Sequence, residues 1–325
     1  MQRRLERLNE IARRCRETLR APAARRWLVR AQRALLVLVV AYLVYRLSRI
    51  GWLEVLRSLP GSPWFYVFFL MRFLALPVSE LAIYELIWNT PLVRHFPVFV
   101  RKRVYNFAVL GYSGEAFLSL WARRRLPLVD RDILIGIKDN NLLSALTSNV
   151  ATVVLIVALA VSGGLKAGLD ALPGSGALFL LAFLSASGLA IAVIAFRRRL
   201  IALPDGIMPR LLAIHGARQT VILFLHAAMY AAALPGAPFG VWLIFLALQL
   251  VLSRIPFLPN QDLVFLGAAL SLAPLVGASE AAVAGMLIAE AGLSQILNFG
   301  LFFATAPIAR RALAPIPADI SRPGR

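Results

Sequence analysis

RKRVYNFAVLGYSGEAFLSLWARRR, residues 101–125, is the stretch on which the reading of the chain turns. Its apolar centre, Val104 to Ala122, approaches the roughly 20 residues needed to cross a hydrocarbon core. Both flanks are triply basic, Arg101-Lys102-Arg103 before it and Arg123-Arg124-Arg125 after it. Basic clusters beside apolar spans stay on the cytoplasmic side, so a straight crossing would strand one cluster outside. A re-entrant hairpin turning at Gly111-Tyr112-Ser113-Gly114 keeps both flanks inside. Gly111 and Gly114 supply the backbone freedom that such a turn requires.

A second short apolar segment, Leu263 to Gly277, sits at a comparable place in the second half of the chain. It follows the breaker residues Pro256 and Pro259 and is short for a span. Each short segment comes after ordinary hydrophobic spans, a correspondence compatible with an internal two-fold repeat. Interrupted segments place polar backbone and charged side chains at mid-membrane depth, where a cavity must compensate them; this pattern belongs to transport.

Composition agrees with that setting. The 325 residues are 60% hydrophobic, with a mean hydropathy of +0.75. Apolar runs at Ala34–Ile50, Pro63–Trp88, Leu142–Leu165, Ala177–Phe196, Ile214–Leu234 and Val241–Ile255 read as spans. Ala281–Ala309 reads as another, broken near Gly292. The expected fold is therefore all-α: a polytopic membrane bundle of about seven or eight spans with one or two re-entrant or broken helices. The expected location is the bacterial inner membrane. Residues 34–309 form the integral domain, with 310–325 a short basic tail.

The formal net charge of +19 is clustered beside apolar spans, which the positive-inside rule explains without nucleic acid. Residues 1–33 hold eleven Arg, with Leu5, Leu8, Ile11, Ala12, Cys15 and Leu19 at helical spacing. This reads as a basic amphipathic helix on anionic inner-leaflet lipids. The first apolar run lacks a small-residue cleavage site, so no cleavable signal peptide is expected. A single cysteine, Cys15, and three histidines without metal-ligand spacing argue against a metal site, and no cofactor is expected. His95, His215 and His226 read as helix ends and packing.

Ionisable residues within apolar spans are the candidate site: Arg72, Glu80, Glu115, Arg218, Asp262 and Glu290. Each costs about 2.5–3.5 kcal/mol in hydrocarbon unless paired or hydrated. Arg72 and Glu80, eight apart on one helix, read as mutual partners. Six buried charges would be a poor way to fasten a bundle, so a cavity lined by Arg72, Glu80, Glu115 and Glu290 is expected. Arg72 and Arg218 suit a phosphate, and Glu80, Glu115 and Glu290 an amine or sugar hydroxyls.

The run Gly111-Tyr112-Ser113-Gly114-Glu115 and the run Ile255-Pro256-Phe257-Leu258-Pro259 ahead of a short helix point further. With the Ala-rich closing segment from Glu280, they make the chain resemble the flippase-like transmembrane domain of lysylphosphatidylglycerol synthetases. The resemblance covers nearly everything after the basic tail. Where family members have a Pro-Gly-Gly turn, this chain has Pro259-Asn260-Gln261-Asp262. The resemblance implies movement of a phosphate-containing lipid between leaflets, without an aminoacyl-transferase domain. No catalytic set and no nucleotide-binding loop stands out, so the chain is not expected to be an enzyme. The competing readings are an integral-membrane enzyme on a lipid-linked substrate and a non-transporting scaffold subunit; a homo-oligomer is left open.

Overall fold

The computed structural model describes residues 51–108, 112–255, 258 and 261–313, with positions 30, 37–38, 41–42, 44–45 and 47–49. Residues 1–29 with Cys15, the turn residues Gly111, Pro256 and Pro259, and the tail from 314 onward lie outside the described residues. So does most of the first expected span, whose described positions are helical.

In chain order the helices are α1 (Trp52–Arg57), α2 (Pro63–Trp88), α3 (Phe96–Ala108), α4 (Ser113–Arg125), α5 (Asp130–Val161) and α6 (Gly164–Ala171). They continue with α7 (Gly176–Ala195), α8 (Met208–Ala233), α9 (Phe239–Ser253), α10 (Gln261–Ser271), α11 (Glu280–Ala304) and α12 (Ala306–Leu313). There is no strand among the described residues. By length and composition, five helices can cross a membrane: α2, α5, α7, α8 with the turn before it, and α11. On α7, Leu180, Leu181, Leu184, Ile191 and Ile194 are all exposed. An uninterrupted apolar face of that kind fits a helical bundle embedded in lipid.

Helices α2 and α8, each 26 residues long, pack along one another at the centre. Both start with proline in the first turn, where the missing N–H is no loss. Helix α9 fills the main core with Trp242, Phe245, Leu248 and Val251, against Phe65 of α2 and Tyr230 of α8. A second core forms beneath the hairpin of α3 and α4, from Tyr84, Trp88, Phe99, Leu118, Trp121 and Ile133.

The hairpin is taller than the sequence reading has it, because its first arm begins at Phe96 rather than Val104. Tyr112 takes the left-handed turn conformation, with φ 68°. Asn106 stitches the arms together: its carbonyl oxygen accepts from the Gly114 amide at 2.7 Å and its amide donates to Glu115 at 3.2 Å. Ser113 donates its hydroxyl to the Tyr105 carbonyl at 2.7 Å. A methyl group on Gly114 would overlap the Lys102 carbonyl, so glycine is what lets the two backbones touch.

Three other expectations change. The span read as Leu142–Leu165 begins twelve residues earlier, because Asp130 to Asn141 form the first three turns of the same helix, and α5 runs for 32 residues, about 48 Å. Two of its buried polar side chains reach partners on other segments. Asp139 accepts from the Ala202 and Leu203 amides at 2.8 and 2.9 Å, clasping the segment that joins α7 to α8, and Asn140 donates to Tyr84 at 3.1 Å. Next, α11 passes unbroken through Gly292, and the interruption falls at Thr305. Glycine is tolerated inside such a helix; here it borders a cavity. Last, Leu263 to Gly277 is an eleven-residue helix plus a single turn, Ala273–Val276, closed by Gly277 at φ 69°. The two short segments are thus built differently, one as a hairpin and the other as a helix that ends early.

Candidate functional site

Two charged networks lie inside the bundle. The first joins three helices. Arg72 of α2 meets Glu290 of α11 at 2.5 Å and the ring nitrogens of His226 of α8 at 3.1 and 3.3 Å. One turn along α8, Tyr230 donates to the other oxygen of Glu290 at 2.8 Å and lies 2.9 Å from His226 Nε2. His226 is also 3.1 Å from Glu290. Every oxygen of the carboxylate therefore has a partner, and the guanidinium is held by a carboxylate and an imidazole together. Positions 226 and 230 share a face because they are four apart on a helix.

Beside this network is an open cavity of about 460 Å³. Arg72, Arg103, Asp262 and Glu290 line it, with Gln249 and Gln295 as neutral polar groups. Leu263, Phe265, Leu266 and Leu287 supply its apolar walls. Asp262, Ala291 and Gln295 are exposed at its margin. Gly292 also faces it, and the absent side chain keeps that wall low.

The second network is closed. Lys102 of α3 is 1% exposed and forms ion pairs with Glu80 of α2 and, at 3.2 Å, with Glu115 of α4. Its ammonium also lies 5.7 Å from the Tyr84 ring centroid. One ammonium thus serves two buried carboxylates, and the second oxygen of each carboxylate has no hydrogen-bond partner among the described residues. Glu80 and Glu115 do not line the 460 Å³ cavity.

The pairing of Arg72 with Glu80 is corrected by this geometry. Each side chain has a partner on another helix, Glu290 and Lys102 respectively, because residues eight apart on one helix are two turns distant while packed helices bring side chains within contact. Lys102 itself reads in the sequence only as a marker of the cytoplasmic flank. In the structure the whole basic triplet is used internally. Arg101, 3% exposed, donates to the Phe302 carbonyl and, at 3.0 Å, to Thr305 and Tyr105. Its guanidinium is 4.4 Å from the ring centroids of both Tyr105 and Phe302, tying α3 to the C-terminal end of α11. Arg103 stacks 4.0 Å from the Phe73 ring centroid.

The remaining site residues fall elsewhere. Arg218 is buried and donates to Ser144 at 2.9 Å, apart from the cavity. Arg254, at the end of α9, donates to Ser148 and Thr152 at 2.6 and 3.0 Å, making a second arginine contact with the polar face of α5. His215 is buried with neither ring nitrogen hydrogen-bonded among the described residues, while His95 meets Trp121 edge-on at 5.1 Å. Among the described residues no group of histidine, cysteine and carboxylate side chains could hold a metal. The sequence reading missed His226, Tyr230, Lys102 and Arg103. The four-residue spacing of His226 and Tyr230 in the apolar second half of α8 was the one signal that could have found the first two.

Comparison of the chain with protein-family models, with curated proteins and with solved structures finds no match in any of the three.

Proposed function

We propose that the protein moves a phosphate-containing lipid between leaflets, with the head group passing through the cavity beside Arg72 and Glu290. The observation that carries this reading is a charged cavity of about 460 Å³ set among helices whose outer faces are apolar. Charge of both signs at that depth is costly unless water or a polar ligand shares the space. The apolar walls of α10 and α11 suit the upper part of an acyl chain while the guanidinium and carboxylate groups face the head group. The resemblance to the flippase-like domain points the same way. The test is reconstitution. Vesicles containing the purified chain should expose inner-leaflet fluorescent phospholipid to an external quencher faster than protein-free vesicles. Equal rates in the two would leave the scaffold reading standing in its place.

Re-entry of the α3–α4 hairpin from the cytoplasmic side belongs to the same proposal. Arg94, before α3, and Arg125, at the end of α4, line one surface pocket with His95 and Trp121, so the two ends of the hairpin lie together. Because Lys102 is buried, cysteines that report sidedness belong at Arg94 and Arg125, in a chain whose Cys15 is replaced by serine. Both should resist an impermeant thiol reagent in intact cells and react once the membrane is opened. Labelling of either from outside would rule out a cytoplasmic base for the hairpin.

A further inference from the structure

We infer that Arg103 anchors a phosphodiester anion in the cavity, with Asp262 receiving a cationic group on the same ligand; this rests on the cavity being the site of the proposed function. Both residues line the cavity, and neither forms an ion pair among the described residues. Arg72, by contrast, is already occupied by Glu290 and His226. The positively charged wall that is free to take a ligand is therefore Arg103, not the arginine marked out by its place in a span.

The surroundings of Arg103 are arranged for such a partner. Its guanidinium carbon lies over the Phe73 ring, 4.0 Å from the centroid. Its Nε–H is buried with no hydrogen-bond partner among the described residues. That nitrogen is sealed from the cavity, but the terminal guanidinium nitrogens of this cavity-lining residue also form no hydrogen bond among the described residues, and they are the donors a ligand can meet. A phosphate oxygen is suited to this, since guanidinium donors engage two anionic oxygens side by side. Glu290 adds a negative charge to the same wall, but both its oxygens are already bonded. Asp262 is exposed to the cavity in the first turn of α10, with carboxylate capacity to spare. A ligand that meets both residues carries an anion and a cation on one polar group, which describes the head group of an amine-bearing glycerophosphodiester. The same head group occurs in membrane phospholipid and in soluble glycerophosphodiesters.

The test is equilibrium binding to the full chain purified in an uncharged detergent, so no transport is required. Thermal stabilisation is titrated with dihexanoyl phosphatidylethanolamine, dihexanoyl phosphatidylglycerol, dihexanoylglycerol and free glycerophosphoethanolamine. The expected order is phosphatidylethanolamine first, phosphatidylglycerol weaker, and no saturable effect of dihexanoylglycerol. Arg103→Gln should weaken both phospholipids by about tenfold or more, as loss of a charge-assisted contact implies, while Arg103→Lys should fall between. Asp262→Asn should erase the preference for the amine without abolishing binding. Arg103→Gln leaves no carboxylate stranded, so its unliganded melting temperature should stay near that of the unsubstituted chain; the lysine variant serves if it does not. Unchanged affinity in both Arg103 variants, or equal stabilisation by dihexanoylglycerol, would overturn the anion site. Equal binding of the two phospholipids would overturn the role of Asp262. If glycerophosphoethanolamine bound as tightly as its lipid, in an Arg103-dependent way, the anion site would stand and the lipid reading of the function would fall.

Discussion

Replacing Lys102 by methionine is expected to destabilise the folded chain by about 3–5 kcal/mol, the usual cost of leaving a buried charge without its partner. The side chain would keep its length and apolar stem, so the loss would report the charge. Glu80 and Glu115 would face each other with nothing between them but the Asn106 amide, which bonds Glu115 at 3.2 Å. The second oxygens of both carboxylates already lack hydrogen-bond partners among the described residues. Adding Glu80→Gln and Glu115→Gln to Lys102→Met should recover most of the loss, because a buried ion cluster replaced as a unit by neutral groups is often tolerated. Denaturation in mixed micelles measures this directly. A single Lys102→Met chain as stable as the original would mean that the triad holds nothing together.

Reversing Arg72 to glutamate should be comparably damaging, and a partner change should repair it. Arg72→Glu would put a carboxylate against Glu290 with only His226 and Tyr230 close by, whereas the pair Arg72→Glu with Glu290→Arg restores opposite charges across the same contact. Interaction energies between residues in one network run to about 0.5–3 kcal/mol, and this pair, 2.5 Å apart with both carboxylate oxygens engaged, belongs at the upper end. A double-substitution cycle on melting free energy gives the coupling. Purely additive losses would show that Arg72 and Glu290 are anchored independently, contrary to the geometry.

How far the sequence reaches can be judged on these same residues. Glu80 and Glu115 lie off the cavity that the sequence has them share with Arg72 and Glu290. The long apolar helices, the turn at Tyr112 to Gly114, and the need of Arg72 and Glu290 for partners or water follow from hydropathy and from the cost of isolated charges in lipid. The partners of those charges do not, because they come from helices 154 or 218 positions away, and one chain carries no record of which helix packs on which. Lys102 shows the limit most plainly. In a basic triplet beside an apolar run it looks like a topological marker, and only the packing of α2 and α4 around it makes it an internal counter-ion. Gly292 shows the converse. Glycine within an apolar run suggests a break, yet a helix held by its neighbours can carry glycine and use the empty space as a cavity wall.

The cavity itself is best tested by filling it. Ala291 and Gly292 line it without joining either ion network, so Ala291→Trp occupies space while leaving Arg72, His226, Tyr230 and Glu290 bonded as they are. Leu181→Trp, on the exposed apolar face of α7, is the matched control. Phospholipid translocation is measured for both in reconstituted vesicles, beside the unsubstituted chain and at equal protein content. Ala291→Trp should reduce the rate to that of protein-free vesicles with the melting temperature nearly unchanged, and Leu181→Trp should leave the rate intact. Translocation that continues undiminished through a chain whose cavity is filled would contradict passage of the head group beside Arg72 and Glu290.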